Sequence, residues 1–438
     1  VFASMRNEAM PFFLDSSLSH AQRGRYSILG CDPFQVVRGK DKNFLDILND
    51  EFKSYRNSVA LPPEIPFAAG AVGALSYDYG LALQNIHSRR QTPWPYGVFG
   101  FYDAAVVIDH QDRAMRVVST GLPETNLSLR RQRANERAEW LENMIQRPAR
   151  RVESTRPLTD VQSNMTREEY LAMVRCAKEL IAAGEIYQVN LSQKFTCPGL
   201  PEQGWFDIYR RLRQVSPSSF SAYFDAGDFA LISSSPERFL WSDGKKIHSI
   251  PMKGTRRRGK DSEEDENLKR DLWNSAKDQA ELLMITDLMR SDLGRVCEYG
   301  SVAVATPREL EEYATVYQTT STVEGILKKD TSPFEILRAA FPGGSITGCP
   351  KIRAMQIIDE LEGEPRGFYT GALGYAGFNG AMDFNMLIRT IVATPQQLTF
   401  HAGGGIVADS DPEKEYEETL VKAQAMKHAI QTIDSSHV

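Results

Sequence analysis

Two pairs of carboxylates recur at one interval in this sequence. Asp278 and Glu281 are three apart within Lys277–Asp287, and Glu415 and Glu418 are three apart within Glu413–Lys422. Residues three apart share a helix face, so two facing helices would bring four carboxylates to one point. That cluster repels itself unless a hard cation such as Mg²⁺ lies within it. Either pair alone is more readily read as a solvated acidic face, and the run Glu263–Glu266, which has no apolar partners, is of that kind.

A lysine and two glycine-rich segments add further chemistry. Lys253 follows Ile250, Pro251 and Met252, apolar neighbours that suit a buried, nucleophilic amine better than a surface charge. Phe341–Lys351 is not a phosphate loop, because Cys349 and Pro350 interrupt the Gly-Lys-Ser/Thr order that such a loop needs. Pro350 suits the first position of a helix Lys351–Leu361, whose start tolerates an anion. His401–Asp409 carries three consecutive glycines without the spacing of a dinucleotide loop. Either a tight sheet corner or a backbone that closely approaches a carboxylate ligand is expected there.

The elements that must position these groups are read from periodicity and caps. Thr166 and Glu169 form a capping box, and Tyr170, Val174, Ala177 and Ile181 follow at helical spacing, so a helix is expected over 167–183. Ile186–Phe195 alternates as a half-buried strand. One long helix from Glu266 to Met289 would carry the first acidic pair, and another from Pro412 to Ile433 the second. A further helical pattern covers Glu124–Gln146. The first third reads as strands over Arg25–Gly30, Phe67–Gly80 and Val98–Asp109. The break at Arg147–Pro157 divides a strand-rich region, 1–150, from a region 151–438 that holds the candidate chemistry. The class is α+β. Gly70-Ala-Val-Gly73 and Gly371-Ala-Leu-Gly374 echo one another, a match short enough for chance.

Composition narrows the function. The chain has 438 residues, and 51 Lys and Arg against 57 Asp and Glu give a net charge of −6. No concentrated cationic surface for nucleic acid is expected. The balance of 42% apolar and 25% charged residues is that of a soluble globular protein. Its most apolar stretch, Phe67–Leu75, is too short for the roughly 20 residues that cross a bilayer. Cys31, Cys176, Cys197, Cys297 and Cys349 are scattered, with no CxxC pair, as expected of reduced thiols in a cytoplasmic protein. The sequence opens at Val1 with no basic segment leading an apolar one, so no signal peptide is expected.

Eight ordered segments together resemble the chorismate-utilising enzymes, a family that includes the anthranilate and aminodeoxychorismate synthase components I and the isochorismate and salicylate synthases. They are Tyr187–Ser192, Ser235–Arg238, Pro251–Thr255, Glu281–Arg295, Phe341–Ala354, Gly371–Tyr375, Ile388–Thr390, and His401–Asp409 with Glu418. Phe13–Ser16, Arg25–Gly30 and Gly70–Gly80 match more weakly. The resemblance implies two large antiparallel β-sheets packed orthogonally with helices outside, and a Mg²⁺-dependent site for chorismate. It makes Glu281 and Glu418 direct metal ligands, with Asp278 and Glu415 holding the metal's waters. Gly254, Thr255, Tyr375, Arg389, the N–H groups of Gly403, Gly404 and Gly405, and Lys422 would bind the substrate's carboxylates.

The same resemblance sorts the reactions. Gln188 stands where water-adding relatives carry a general-base lysine, which favours ammonia as nucleophile. Lys253 stands where anthranilate synthases carry alanine, which implies 4-amino-4-deoxychorismate as product, on the route to p-aminobenzoate and folate. Lys253 would be a covalent nucleophile and Glu237 its general acid, with Arg256, Arg257 and Arg258 favouring the neutral amine. Ammonia would come from a separate glutamine amidotransferase subunit or from ammonium salts, since no Cys-His-Glu glutaminase signature is present. Anthranilate synthesis is the alternative. A catalytically weak regulatory subunit is a third reading, favoured by Gln318 where many relatives have histidine. Ser16, Arg23, Gly24, Arg25, Tyr26, Ser219, Phe220 and Ser221 resemble a tryptophan pocket found in some members.

Overall fold

Among the described residues of the computed structural model every strand pairing is antiparallel, and the strands gather into two sheets. The structure describes residues 1–18, 23–59, 61–62, 64–147, 160–199, 204–313 and 316–431. The eleven-stranded sheet runs Gly348–Cys349, Gln188–Pro198, Gln397–Ile406, Thr390–Ala393, Ala230–Ser235, Phe220–Asp225, Phe12–Asp15, Tyr26–Gly30, Ala104–Asp109, Ala114–Ser119, with Gln162–Ser163 beside Gln188–Pro198. The ten-stranded sheet runs Met252–Arg257, Val316–Ile326, Lys246–Ser249, Arg238–Ser242, Met382–Met386, Ala372–Gly377, Gly70–Leu75, Gly97–Tyr102, Gln35–Gly39, with Ala303–Glu312 beside Val316–Ile326.

Apolar residues on successive faces stack four layers. Phe12, Ile28, Ala105, Phe224 and Leu231 of one sheet meet Val72, Val98, Tyr102, Leu373 and Tyr375 of the other, and the Phe12 and Tyr102 rings cross edge to face at 4.7 Å. Outside the ten-stranded sheet lie helices Phe44–Lys53, Pro333–Ala340 and Lys351–Leu361, which share its second apolar cluster. Outside the eleven-stranded sheet lie Leu127–Gln146, Trp205–Val215 and Pro412–Gln431. The α+β architecture of two large antiparallel sheets with outer helices is therefore present. No helix among the described residues is long and apolar enough to cross a membrane.

Several local expectations change for identifiable reasons. The expected helix 266–289 is two helices, Ser262–Asn274 and Ala276–Gly294. Ser275 caps the second by accepting the Asp278 N–H at 3.2 Å, which restarts the helix so that Asp278 falls in its first turn. Val98–Asp109 is two strands in different sheets: the chain crosses at the buried Asp103, whose carboxylate meets Arg137 at 3.2 Å and Arg133 at 3.3 Å on helix Leu127–Gln146. From Tyr77 the expected strand Phe67–Gly80 becomes the helix Tyr77–Leu83. Pro350 is the cap of helix Lys351–Leu361 rather than its first residue. The helix Arg167–Ala182 has its capping box.

The echoing segments are neighbours, with Gly73 opposite Gly374. Each admits no side chain: a Cβ would come within 2.0 Å of the Val98 or Asp383 carbonyl oxygen. The break at Arg147–Pro157 lies almost wholly outside the described residues, and strands from both sides of it share each sheet. All five cysteines are free thiols.

Candidate functional site

Lys253 owes its direction to a bulge. Between Lys253 and Thr255 the register against Val316–Ile326 shifts, and Gly254, at φ +73°, takes the left-handed conformation that a side chain resists. A Cβ on Gly254 would also meet Asp278 at 3.0 Å. The bulge turns the Lys253 ammonium into the space between the sheets, where it donates to the Ser345 carbonyl at 3.3 Å and lies 3.9 Å from Glu281. The Ser345 hydroxyl donates to Glu237 at 2.6 Å, so one residue touches both the amine and the acid. Burial pushes the Glu237 carboxyl up, against the pull of Ser345 and Lys253, as a proton donor requires. Thr255 accepts a hydrogen bond from the buried Gln318 at 3.4 Å. The three arginines face elsewhere: Arg256 meets Asp271 and Asp278, Arg257 meets Glu264, and Arg258 meets Asp265.

The acidic pairs lie on facing helices, Ala276–Gly294 and Pro412–Gln431. Glu415 and Glu418 converge over Gly404, where a Cβ would stand 3.1 and 3.3 Å from their oxygens. Glu415 also accepts from Ser410 at 2.6 Å. Burial pushes Glu281 up against the pull of Lys253 and Lys277. Glu418 is held down: burial opposes its ionisation, but Lys422 at 2.6 Å wins. Among the described residues no three acidic, His or Cys side chains close around one point. A divalent cation nevertheless fits by donor type, oxygen only. The gap between Glu281 and Glu415 already carries a positive charge, the Lys277 ammonium at 3.9 and 3.5 Å.

The three glycines sit inside the straight strand Gln397–Ile406 and make no corner. Their lack of side chains admits Glu415 and Glu418 over Gly404, and Gln188 and Lys253 beside Gly405, whose Cβ would be 2.3 Å from Gln188 Nε2 and 3.6 Å from Lys253 Nζ. Strand Thr390–Ala393 pairs only as far as Phe400, leaving the next residues an open edge. Asn190 and Ser192 send their N–H groups away from this strand, to Thr347 and Glu362. The alternation of an antiparallel ladder therefore turns the N–H groups of Gly403 and Gly405 to the open edge and that of Gly404 towards Leu191. Lys422 donates to the Gly403 carbonyl at 2.9 Å. Arg389, at φ +50°, ends at this edge. Its guanidinium has no hydrogen-bond or charge partner among the described residues, and burial alone pulls its pKa down. An unpaired buried cation and N–H groups left without a strand partner are donor types that suit a carboxylate.

Tyr375 is not brought there. It lines a second inter-sheet cavity of about 500 Å³, together with all eight residues Ser16, Arg23–Tyr26 and Ser219–Ser221. Arg238 pairs with Asp383 at 2.8 Å, and Arg23 with Glu311. His248, stacked on Trp241 at 4.5 Å, is pulled down to about 4 by burial and by Arg238 and Arg23.

Sequence reasoning missed three supports. Ser345 lay in the glycine-rich segment but was not singled out. Glu362 and Arg366 form a buried pair at 2.6 Å. Glu362 accepts the Ser192 N–H at 2.7 Å, while Arg366 reaches the Asn190 carbonyl at 2.7 Å and that of Ile346 at 3.0 Å, tying together the segments that carry Gln188 and Ser345. Tyr369 stacks on His401 at 4.9 Å beside them. A Glu-x-x-x-Arg spacing was the available signal, indistinguishable in sequence from a surface helix pair.

Residues 14–428 match the model of a family described as chorismate binding enzyme. The chain is 37% identical to aminodeoxychorismate synthase component 1 of Bacillus subtilis, covering 94% of this chain and 91% of that one. It is 35% identical to anthranilate synthase component 1 of Bacillus caldotenax, covering 98% and 91%. The solved anthranilate synthase component I of Streptococcus pneumoniae superposes with a TM-score of 0.82 at 31% identity, over 94% of each chain.

Proposed function

Because the chain belongs to the family of chorismate-binding enzymes, we propose that it replaces the 4-hydroxyl of chorismate with an amine, forming 4-amino-4-deoxychorismate. The observation that carries this reading is the Lys253 ammonium, aimed between the sheets and joined through Ser345 to the acid Glu237. As a neutral amine, Lys253 attacks C2 of the ring, the double bonds shift, and the C4–O bond breaks as Glu237 protonates the departing hydroxyl to water. Ammonia then attacks C4, the double bonds shift back, and the lysine amine is expelled. Arg389 and the free N–H groups of Gly403 and Gly405 hold the enolpyruvyl carboxylate in one orientation. Gln188 leaves no base to activate water, and ammonia needs none.

Mg²⁺, held by Glu281 and Glu418 with Asp278 and Glu415 around its waters, would supply positive charge to the ring carboxylate. Ammonia is delivered by a glutamine amidotransferase subunit, and the cavity holding Ser16, Arg23 and Tyr375 takes tryptophan. Anthranilate is the second reading, supported by the relatives of that name.

The test is chromatography of the product from chorismate, Mg²⁺ and ammonium. Aminodeoxychorismate is expected. Anthranilate would establish the second reading, and no turnover would leave the regulatory one. Without ammonia, mass spectrometry should find a chorismate-derived adduct on Lys253. An adduct-free protein whose Lys253→Ala variant still makes aminodeoxychorismate at the normal rate would overturn the covalent step.

A further inference from the structure

Among the described residues four cations border the acidic pairs, and they are anchored differently. Lys253 also holds the Ser345 carbonyl, Lys422 the Gly403 carbonyl, and Arg256 the Asp271 carboxylate. Among the described residues Lys277 meets only Glu281 and Glu415, at 3.9 and 3.5 Å, one on its own helix and one on the facing helix. Its side chain is 46% exposed while those of Glu281 and Glu415 are 12% and 5% exposed. The carboxylates are fixed inside the site, whereas the ammonium reaches them from a stem that borders solvent.

We propose that Lys277 is a removable counter-ion: it neutralises Glu281 and Glu415 across the two helices in the resting protein, and swings to solvent when a divalent cation engages them, Glu281 directly and Glu415 through its waters. This rests on the Mg²⁺ reading above. A divalent ion held by Glu281 and Glu418, with Glu415 on its waters, would lie within a few ångströms of the ammonium, and like charges at that distance repel strongly in a partly buried site. Lys277 is the bordering cation with no second anchor to hold it there and with solvent beside it. It thereby sets the resting affinity for metal, keeping two buried acids satisfied in the metal-free protein and weakening metal binding by the cost of its displacement.

The test uses the full chain without substrate. Free Mn²⁺ is followed by electron paramagnetic resonance during titration of the parent protein, Lys277→Met, Lys277→Arg and, as the metal-site control, Glu281→Gln. Lys277→Met should bind about tenfold more tightly than the parent and Lys277→Arg no more tightly. In the parent protein, acetylation of Lys277 by a water-soluble acylating reagent, read by mass spectrometry, should rise severalfold on adding Mg²⁺, with the exposed Lys245 as constant reference. Equal Mn²⁺ affinity in the parent and Lys277→Met, or unchanged acetylation of Lys277 in a protein that does bind metal, would overturn the counter-ion role alone. Absence of Mn²⁺ binding in every protein would overturn the metal reading and this inference with it.

Discussion

The two spaces between the sheets hold similar charges in opposite states. Around Lys253, among the described residues, Arg389 has no partner, the Gln188 side-chain oxygen is buried without one, and the Gly403 and Gly405 N–H groups face an open edge. Around Tyr375, the arginines are paired: Arg238 with Asp383, Arg23 with Glu311, Arg25 with Asp109. Buried polar groups left open cost stability, so the open space suits a charged ligand that would complete them. The closed space suits a ligand with little net charge, or none.

The comparison breaks most easily at the acidic pairs. Glu281→Gln or Glu418→Gln should lower turnover of chorismate with ammonium by about 10³-fold or more, a loss of roughly 4 kcal/mol in transition-state stabilisation, with an unchanged circular dichroism spectrum. Turnover and Mg²⁺ dependence that survive either change would remove the metal site. A sharper version sets one arginine against another. Arg389→Gln should reduce kcat/KM by about 10- to 100-fold, matching roughly 1.5–3 kcal/mol for hydrogen bonds to a charged group, and should raise the denaturant midpoint or leave it in place, because an unpaired buried charge is removed. Arg238→Gln should do the reverse, lowering stability by about 1–3 kcal/mol because Asp383 loses its partner. Equal effects of both would erase the distinction.

The smallest effect is on pH and belongs to the closed space. His248 titrates near 4 in the folded protein and near its ordinary value, about 6.5, once unfolded. Between those values the unfolded chain binds more protons, so stability is fully present above about pH 6.5 and falls as the pH drops towards 4. Roughly 1–2 kcal/mol is at stake, discounted for partial exposure. Urea midpoints at pH 4.5 and 7.5 should lie closer together in His248→Gln than in the parent. An unchanged separation would mean that the ring is not held neutral.

Much of the open site was legible because its groups sit in short segments whose chemistry is local. Lys253-Gly254, the two i,i+3 pairs and the three glycines each announce a geometry within a few residues. Tyr375 shows the limit. It stands five strands from the Lys253 strand across the ten-stranded sheet, roughly 20–25 Å at the spacing of neighbouring strands, and periodicity carries strand direction without strand order. Glu237 and Arg238 make the same point at closer range: neighbours in sequence, one meets Ser345 and the other Asp383. Lys277 was hidden for another reason. A lysine four residues before a glutamate looks like any exposed helix pair, and only the facing helix gives it a second carboxylate.

The pairing of Gly70–Leu75 with Ala372–Gly377 also sets a clock on synthesis. At about 5–20 residues per second on the ribosome, the earlier strand is complete roughly 15–60 s before its partner emerges. Gly97–Tyr102 can cover one edge in that time. The other edge, small, apolar and free of charge, stays available to strands of other nascent chains. Until residues 372–377 arrive, that edge has no partner in its own chain, so overexpression, which crowds nascent chains together, should raise the fraction of this protein found in aggregates.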